Sequence, residues 1–393
     1  MHSRQCLEAI LRREDPGRVV YAPNYWQWFW HHRRHGRLPA ELAGCRDHLD
    51  MLGVLGLDVF SRNIYCDQRR CWFGGLSAER FERGGCVQSE TEQANGDLVI
   101  ERTYRLPSGN LTERQRHVAT ESTLVQEKFL IDDYETQLPL FEEFVANRRW
   151  TFQPGQWHHW ANRVGEQGLP IAGELFSPLK MLHLALGPVN TTYLLTDEPE
   201  RAKALLDIHE AAQLDLVRQM AAAGVTTMMA MDNLDSVLHT PQYVEQCCAS
   251  FYERASALCH ERGSSFFIHA CGRQKINLKR IASYGVDGLE GVASAPLGDV
   301  ELDEAFAETG GRFLITGGIS AMETDGLKTR QAVFDYVGNL FDRLRPYRHR
   351  FVFASSCNTA ITTSWDTLLH FRDAWRAMAG DNSNAQSPGS TSR

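Results

Sequence analysis

Residues 266–273 read FFIHACGR: three apolar residues, then a histidine, an alanine, a cysteine and a glycine. A short apolar run closed by glycine is the pattern of a buried strand. This one ends in two metal-type ligands one residue apart. Runs of the same kind lie at 169–174, 225–231, 264–269, 286–290, 312–317 and 350–354. Between several of them the apolar residues take a helical period, at 199–224, 241–262, 273–284 and 327–345. Pro199 opens the first of these helices and Gly224 follows it, the expected punctuation. Strand, helix, strand at this rhythm implies parallel pairing. Two further apolar stretches, VVYAPN at 19–24 and LGLDVFS at 55–61, bring the strands to eight. The pattern predicts an α/β fold, a (β/α)8 TIM barrel, with a doubly wound sheet as the alternative.

One segment departs from that rhythm. Residues 85–118 alternate polar and apolar with period two, broken at Asn95-Gly96 and at Pro107-Ser108-Gly109-Asn110. Such turn chemistry predicts an antiparallel meander inserted in the barrel. The last fourteen residues, 380–393, are GDNSNAQSPGSTSR and have nothing to bury, so a disordered tail is expected there. The reading is a single domain over 1–379.

Active sites of such barrels lie at the C-terminal ends of the strands. His269 and Cys271 sit at one such end, and Cys357 at another, after RFVFASS. Parallel packing brings these ends together across a long gap in sequence. Two thiolates and an imidazole make a three-ligand Zn2+ site with an open position, the pattern of a catalytic zinc. Each residue also has a plainer reading, since strand-end histidines are often only hydrogen-bonded and buried cysteines are common. Asp232 and Asn233 end the strand TTMMAM, Glu174 ends LPIAGE and Glu290 ends VDGLE. Any of these carboxylates can instead be a helix cap or turn residue. Glu290 is the first candidate for a fourth ligand, and Asp232 for an acid or substrate contact. Gly317-Gly318 allows close backbone approach to a substrate or cofactor. NYWQWFWHH at 24–32 offers Tyr25, Trp26 and Trp28 as a wall for a flat or apolar substrate, or as core.

The bulk properties exclude other classes. Lys and Arg number 41 against 49 Asp and Glu, a net charge of −8, which disfavours a nucleic-acid partner. One basic cluster, His31-His32-Arg33-Arg34-His35, reads as a solvated helix or loop face ahead of a phosphate site. No apolar run is long enough to cross a membrane, and the N-terminus lacks the core of a signal peptide, so a cytoplasmic protein is expected. The ten cysteines should be mostly reduced there, and Cys66 and Cys71 are too loosely spaced to form a zinc knuckle alone.

FIHACG (267–272), GVDGLEGV (285–292), ITGGIS (315–320) and SSCNTA (355–360), in that order, resemble the uroporphyrinogen decarboxylase superfamily. Within it, they resemble the zinc-dependent, corrinoid-linked methyltransferases. GELFSPLKMLHLALG (173–187) and LLTDEPERAKALLD (194–207) are similar too. The resemblance implies zinc held by His269, Cys271 and Cys357. It further implies methyl transfer between a small O- or S-methyl compound and the cobalt of a methylcobamide carried on a separate corrinoid protein. RTYRLPSGNL in the meander resembles an extension of members that demethylate a donor, which points to O-demethylation of an aryl methyl ether. The chain lacks the Arg-Gln-Ala-Gly-Arg segment of the true decarboxylases, which argues against decarboxylation of a poly-acid. The alternative is a metal-independent decarboxylase acting on a small acid. DIHEAA (207–212) matches only the start of a cobalamin-binding loop and lies in a helical stretch, so a partner must carry the corrinoid. A homodimer is compatible with the sequence, which does not give the oligomeric state.

Overall fold

The computed structural model describes residues 1–66, 69–70 and 74–380. Cys71 and the tail beyond Gly380 lie outside the described residues. Gly380 itself pairs with Arg18.

Eight parallel strands close a ring, and they are labelled here β1 to β8. They are β1 (Val20–Tyr21), β2 (Val59–Ser61), β3 (Gly168–Pro170, resuming after Ile171 as Ala172–Leu175) and β4 (Thr227–Ala230). They continue as β5 (Ser265–His269), β6 (Gly288–Val292), β7 (Leu314–Ile319) and β8 (Phe351–Ser355). From β3 to β8 each strand pairs with the next in sequence, and β8 pairs back onto β1. β2 pairs with the first half of β3, Val59 opposite Gly168. The ring closes where Asp58 N donates to Tyr21 O at 3.0 Å. This is the (β/α)8 barrel, and the doubly wound alternative falls because, among the described residues, none of these eight strands is left at an open edge.

Side chains alternate across the barrel wall, as strand geometry requires. Phe267, Met229, Leu314 and Val352 point inward, where Cys6, Leu7 and Ile10 of the helix Ser3–Leu11 join the same apolar cluster. Phe266, Ile268, Leu289 and Phe353 belong to the larger core shared with the outer helices. By that alternation His269 and Glu290 fall on the inner side, at the mouth.

The meander is present and longer than expected. Its strands are Gly85–Glu92, Leu98–Leu106, Gly109–Val118 and Thr123–Lys128, all antiparallel to their neighbours. Both expected breaks are turns, at Asn95-Gly96 and Pro107-Ser108. The fourth strand lies past the expected end at 118, because TLVQEK carries too little alternation to announce itself. Some helices are also shorter than their periodicity suggested. The stretch 241–262 is two helices, Pro241–Cys247 and Ala249–His260, and 273–284 keeps only Leu278–Ser283.

Candidate metal centre

His269, Cys271 and Cys357 meet at the mouth of the barrel. Their ligand atoms lie within 4.8 Å of one another, and no other described cluster of three such residues converges in this way. Cys357 Sγ is 3.8 Å from His269 Nε2. Ordinary Zn–S and Zn–N bonds in a tetrahedron would set that span at about 3.6 Å, so the donor set fits a zinc ion.

Local backbone chemistry holds the three in place. His269 closes β5, where its carbonyl accepts from Asn233 N at 2.9 Å and Ala270 N donates to Glu290 O at 2.7 Å. Gly272 follows with φ +105, and a Cβ there would stand 2.6 Å from Asp235 Cβ. Gly291 interrupts the β6–β7 register at φ +96. A Cβ on Gly291 would meet Ser356 O at 2.5 Å and the His269 ring at 3.2 Å. The absent side chain lets β6, the β8 end and the imidazole share one space. Asn24, beyond β1, donates to Cys357 O at 3.0 Å and to Asn358 Oδ1 at 2.9 Å, tying down the third ligand.

Behind the imidazole stands a buried relay. His269 Nδ1 bonds Glu290 Oε2, and Arg62 Nε donates to the same oxygen at 3.0 Å. Nδ1 therefore carries the proton, and the Nε2 lone pair faces Cys357. Burial alone would raise the Glu290 carboxyl, but the Arg62 guanidinium and the His269 ring reverse this and hold it below its ordinary range. Burial is the strongest influence on the His269 imidazole and would lower it, but Glu290 and the Cys357 contact together reverse this and raise it. The two thiols split: a hydrogen bond from Cys357 pushes Cys271 down, while that contact and burial push Cys357 up.

The other sequence candidates are placed as follows. Glu290 touches the ring nitrogen opposite the convergent ligand atoms and is not among them. Asp232 is fully buried, accepting from Ser177 N at 2.8 Å and Tyr252 OH at 2.5 Å. Burial raises its carboxyl, against these hydrogen bonds. Asn233 takes φ +50, and its buried Oδ1 has no partner. Glu174 accepts from Leu76 N at 2.9 Å and Ser77 Oγ at 2.5 Å, so it tethers the segment leading into the meander. Gly317 packs against Val292 O, and Gly318 against Leu340 and Leu302, beside a cavity of about 260 Å3. Tyr25, Trp26 and Trp28 are buried, with their polar atoms bonded to Tyr21, Asn358 and Thr363.

Sequence reasoning passed over Arg62, Asn24 and Lys180. Lys180 lies in the first turn of the helix Pro178–Asp197. Burial lowers its ammonium, while the charges of Asp232 and Cys271 oppose that shift. Its one signal is position: FSPLK follows Glu174 at the end of a barrel strand.

A family model described as uroporphyrinogen decarboxylase (URO-D) matches residues 161–378, more than half of the chain. The fold is similar to a methyltransferase from Methanosarcina mazei at 13% identity, with a TM-score of 0.61, covering 96% of this chain and 99% of that one. A B12-independent methionine synthase from Shewanella sp. W3-18-1, solved with selenomethionine, matches at 12% identity with a TM-score of 0.46, covering 91% and 94%. No curated protein matches the sequence. Among the described residues no helix is long and apolar enough to cross a membrane.

Proposed function

The chain belongs to the uroporphyrinogen decarboxylase family, and from that premise we propose that it is a zinc-dependent methyltransferase. It moves a methyl group from a small O- or S-methyl compound, an aryl methyl ether in the first instance, to the cobalt of a separate corrinoid protein. The observation that carries this reading is the convergence of His269, Cys271 and Cys357, with an ionised Glu290 behind the imidazole. A carboxylate in that position fixes the tautomer and raises the basicity of a histidine ligand. When bound, zinc supplies Lewis acidity to the atom from which methyl leaves. Arg62 keeps Glu290 charged, Glu290 keeps the Nδ1 proton in place, and Asn24 holds the Cys357 backbone. Asp232 is the proposed acid, and Asn233 with its unpartnered Oδ1 the proposed substrate contact. The family name favours decarboxylation as a second reading, but the missing arginine segment and the convergence of two cysteines with His269 weigh against it.

Purified protein should carry close to one equivalent of zinc. Cys357→Ala should lose most of it and stay folded, since the apolar cores do not include Cys357. With a reduced corrinoid protein and an aryl methyl ether, the enzyme should consume Co(I), read by absorbance. Asp232→Asn should slow this by about 10²–10⁴-fold if it acts as a general acid. Zinc-free protein that methylates cobalt at the full rate would end the proposal. Zinc-independent release of CO2 from a small acid would establish the decarboxylase instead.

A further inference from the structure

The basic cluster at 31–35 falls in the last turn of the helix Trp26–Arg34 and just beyond it. Trp26, Trp28, Phe29 and His31 of that helix are buried. Trp30 and Arg33 line a cavity of about 740 Å3, within the size range of small-molecule sites. His48 at the start of the helix His48–Leu55, Tyr65 just past β2, and Trp160 line it too. We propose that this cavity binds a planar aromatic carboxylate.

Charge selects an anion. Among the described residues, four arginines line the cavity against a single carboxylate, Asp47. Asp47 is already committed, bonding Arg163 at 2.8 Å and capping the helix His48–Leu55 through Leu49 N at 3.0 Å. Arg46 is paired with Asp50 and Arg69 with Glu92. Arg33 differs: it donates to the carbonyls of Cys45 and Arg46 at 2.7 and 2.5 Å, and faces no carboxylate among the described residues. Its positive charge is thus held in place by neutral groups and makes no ion pair among the described residues.

A second and independent observation is His48. It is 2% exposed, lines the cavity, and has no hydrogen-bond partner on either ring nitrogen among the described residues. Burial pushes its imidazole down to about 4, so at neutral pH it offers one N–H and one lone pair. Buried polar groups without partners are rare, and each calls for a missing one. A ligand carboxylate reaching Arg33 and the His48 N–H would supply it.

The remaining walls select the ring. Trp30 and Trp160 are large flat apolar surfaces, and the Arg33 guanidinium already lies 5.6 Å from the Trp30 centroid. Aromatic faces of this kind favour a stacked arene. An inorganic anion would leave them uncovered, and a neutral arene would give Arg33 no ion pair.

The test uses full-length, zinc-loaded protein and reads tryptophan fluorescence and titration heat. Benzoate should bind saturably. Methyl benzoate, which lacks the charge, and cyclohexanecarboxylate, which lacks the flat ring, should each bind at least tenfold more weakly. Arg33→Gln should weaken benzoate at least tenfold. Arg33 also supports two carbonyls, so His48→Leu serves as the second variant: His48 has no hydrogen-bond partner to lose among the described residues, so thermal stability should hold while benzoate affinity falls at least fivefold. Equal binding of benzoate and its ester, or unchanged affinity in both variants, overturns the proposal. The readout needs neither cobalt nor turnover. Failure here with intact methylation of cobalt leaves the methyltransfer reading standing, and binding without methylation leaves this site standing.

Discussion

The barrel mouth and the four-stranded meander are both β-structure, yet they hold their neighbours by opposite means. At the mouth, contact depends on what is missing: no side chain at Gly291 or Gly272, so that backbone and imidazole touch. Its polar groups are buried and bonded across long sequence gaps, as Arg62 is to Glu290. In the meander, neighbours follow one another in sequence and ladder bonds do the holding. Its charges are partly exposed, as where Arg114 Nε meets Glu127 at 2.9 Å. The first region should fail at single atoms, and the second should absorb substitution.

The largest effect should come from Gly291→Ala. Its Cβ would need a backbone conformation open mainly to glycine and space already filled by Ser356 O. A cost of about 3 kcal/mol is expected from strain and overpacking together, with zinc lost as His269 is displaced. Denaturant unfolding and metal content measure both, and a variant with ordinary stability and full zinc would erase the contrast.

Glu290→Gln tests the polar side of the same region. The amide still fills the space but gives His269 no charge, so zinc affinity should fall about 10–100-fold. Competition with a chelator gives the number. An unchanged affinity removes Glu290 from the support of the ligand.

Glu174, which links the two regions, should make stability depend on pH. Burial raises its carboxyl from 4.5 to about 7, against its bonds to Ser77 and Leu76. The fold therefore prefers the neutral acid. Its contribution is fully present below 4.5 and is lost as pH rises through about 7. Relative to Glu174→Gln, the wild type should lose up to about 1.4 kcal/mol per pH unit in that window. Melting curves at pH 5 and pH 8 decide it, and an equal gap at both would refute the assignment.

The smallest effect belongs to the meander. Arg114→Ala removes a partly exposed ion pair and should cost about 0–1 kcal/mol. A loss several times larger, by denaturant unfolding, would show that the sheet is as brittle as the mouth.

The same contrast explains what was legible in the sequence. Parallel barrel strands are buried on both faces, so they read as continuous apolar runs, and the strand-end position of His269, Cys271 and Cys357 followed from those runs. The meander was legible through its turn residues, up to the strand Thr123–Lys128, which has no such marker. Arg62 was not legible, because its partner Glu290 lies 228 residues away and nothing local distinguishes it from a surface arginine. Gly291 looks like any glycine until β8 is brought against it. The aromatic run around Trp26 announced its hydrophobicity but not its direction, and only the helix shows that Trp30 faces a cavity while Trp26 and Trp28 do not.

The joint between β1 and β2 carries one main-chain bond among the described residues, from Asp58 to Tyr21. Tyr21 N turns instead to the Asp58 carboxylate, at 2.8 Å. Every hoop yields first at its thinnest joint, and this one lies between β2, which runs on into Arg62, and β1, whose other neighbour β8 runs on into Cys357. Thermal breathing would therefore begin at the Tyr21 and Asp58 amides, ahead of those between β4 and β5, in deuterium exchange. A metal held by His269, Cys271 and Cys357 would pin the arc from β5 to β8 and leave that joint free, so the Tyr21 and Asp58 amides should stay the fastest to exchange in the ring with or without it.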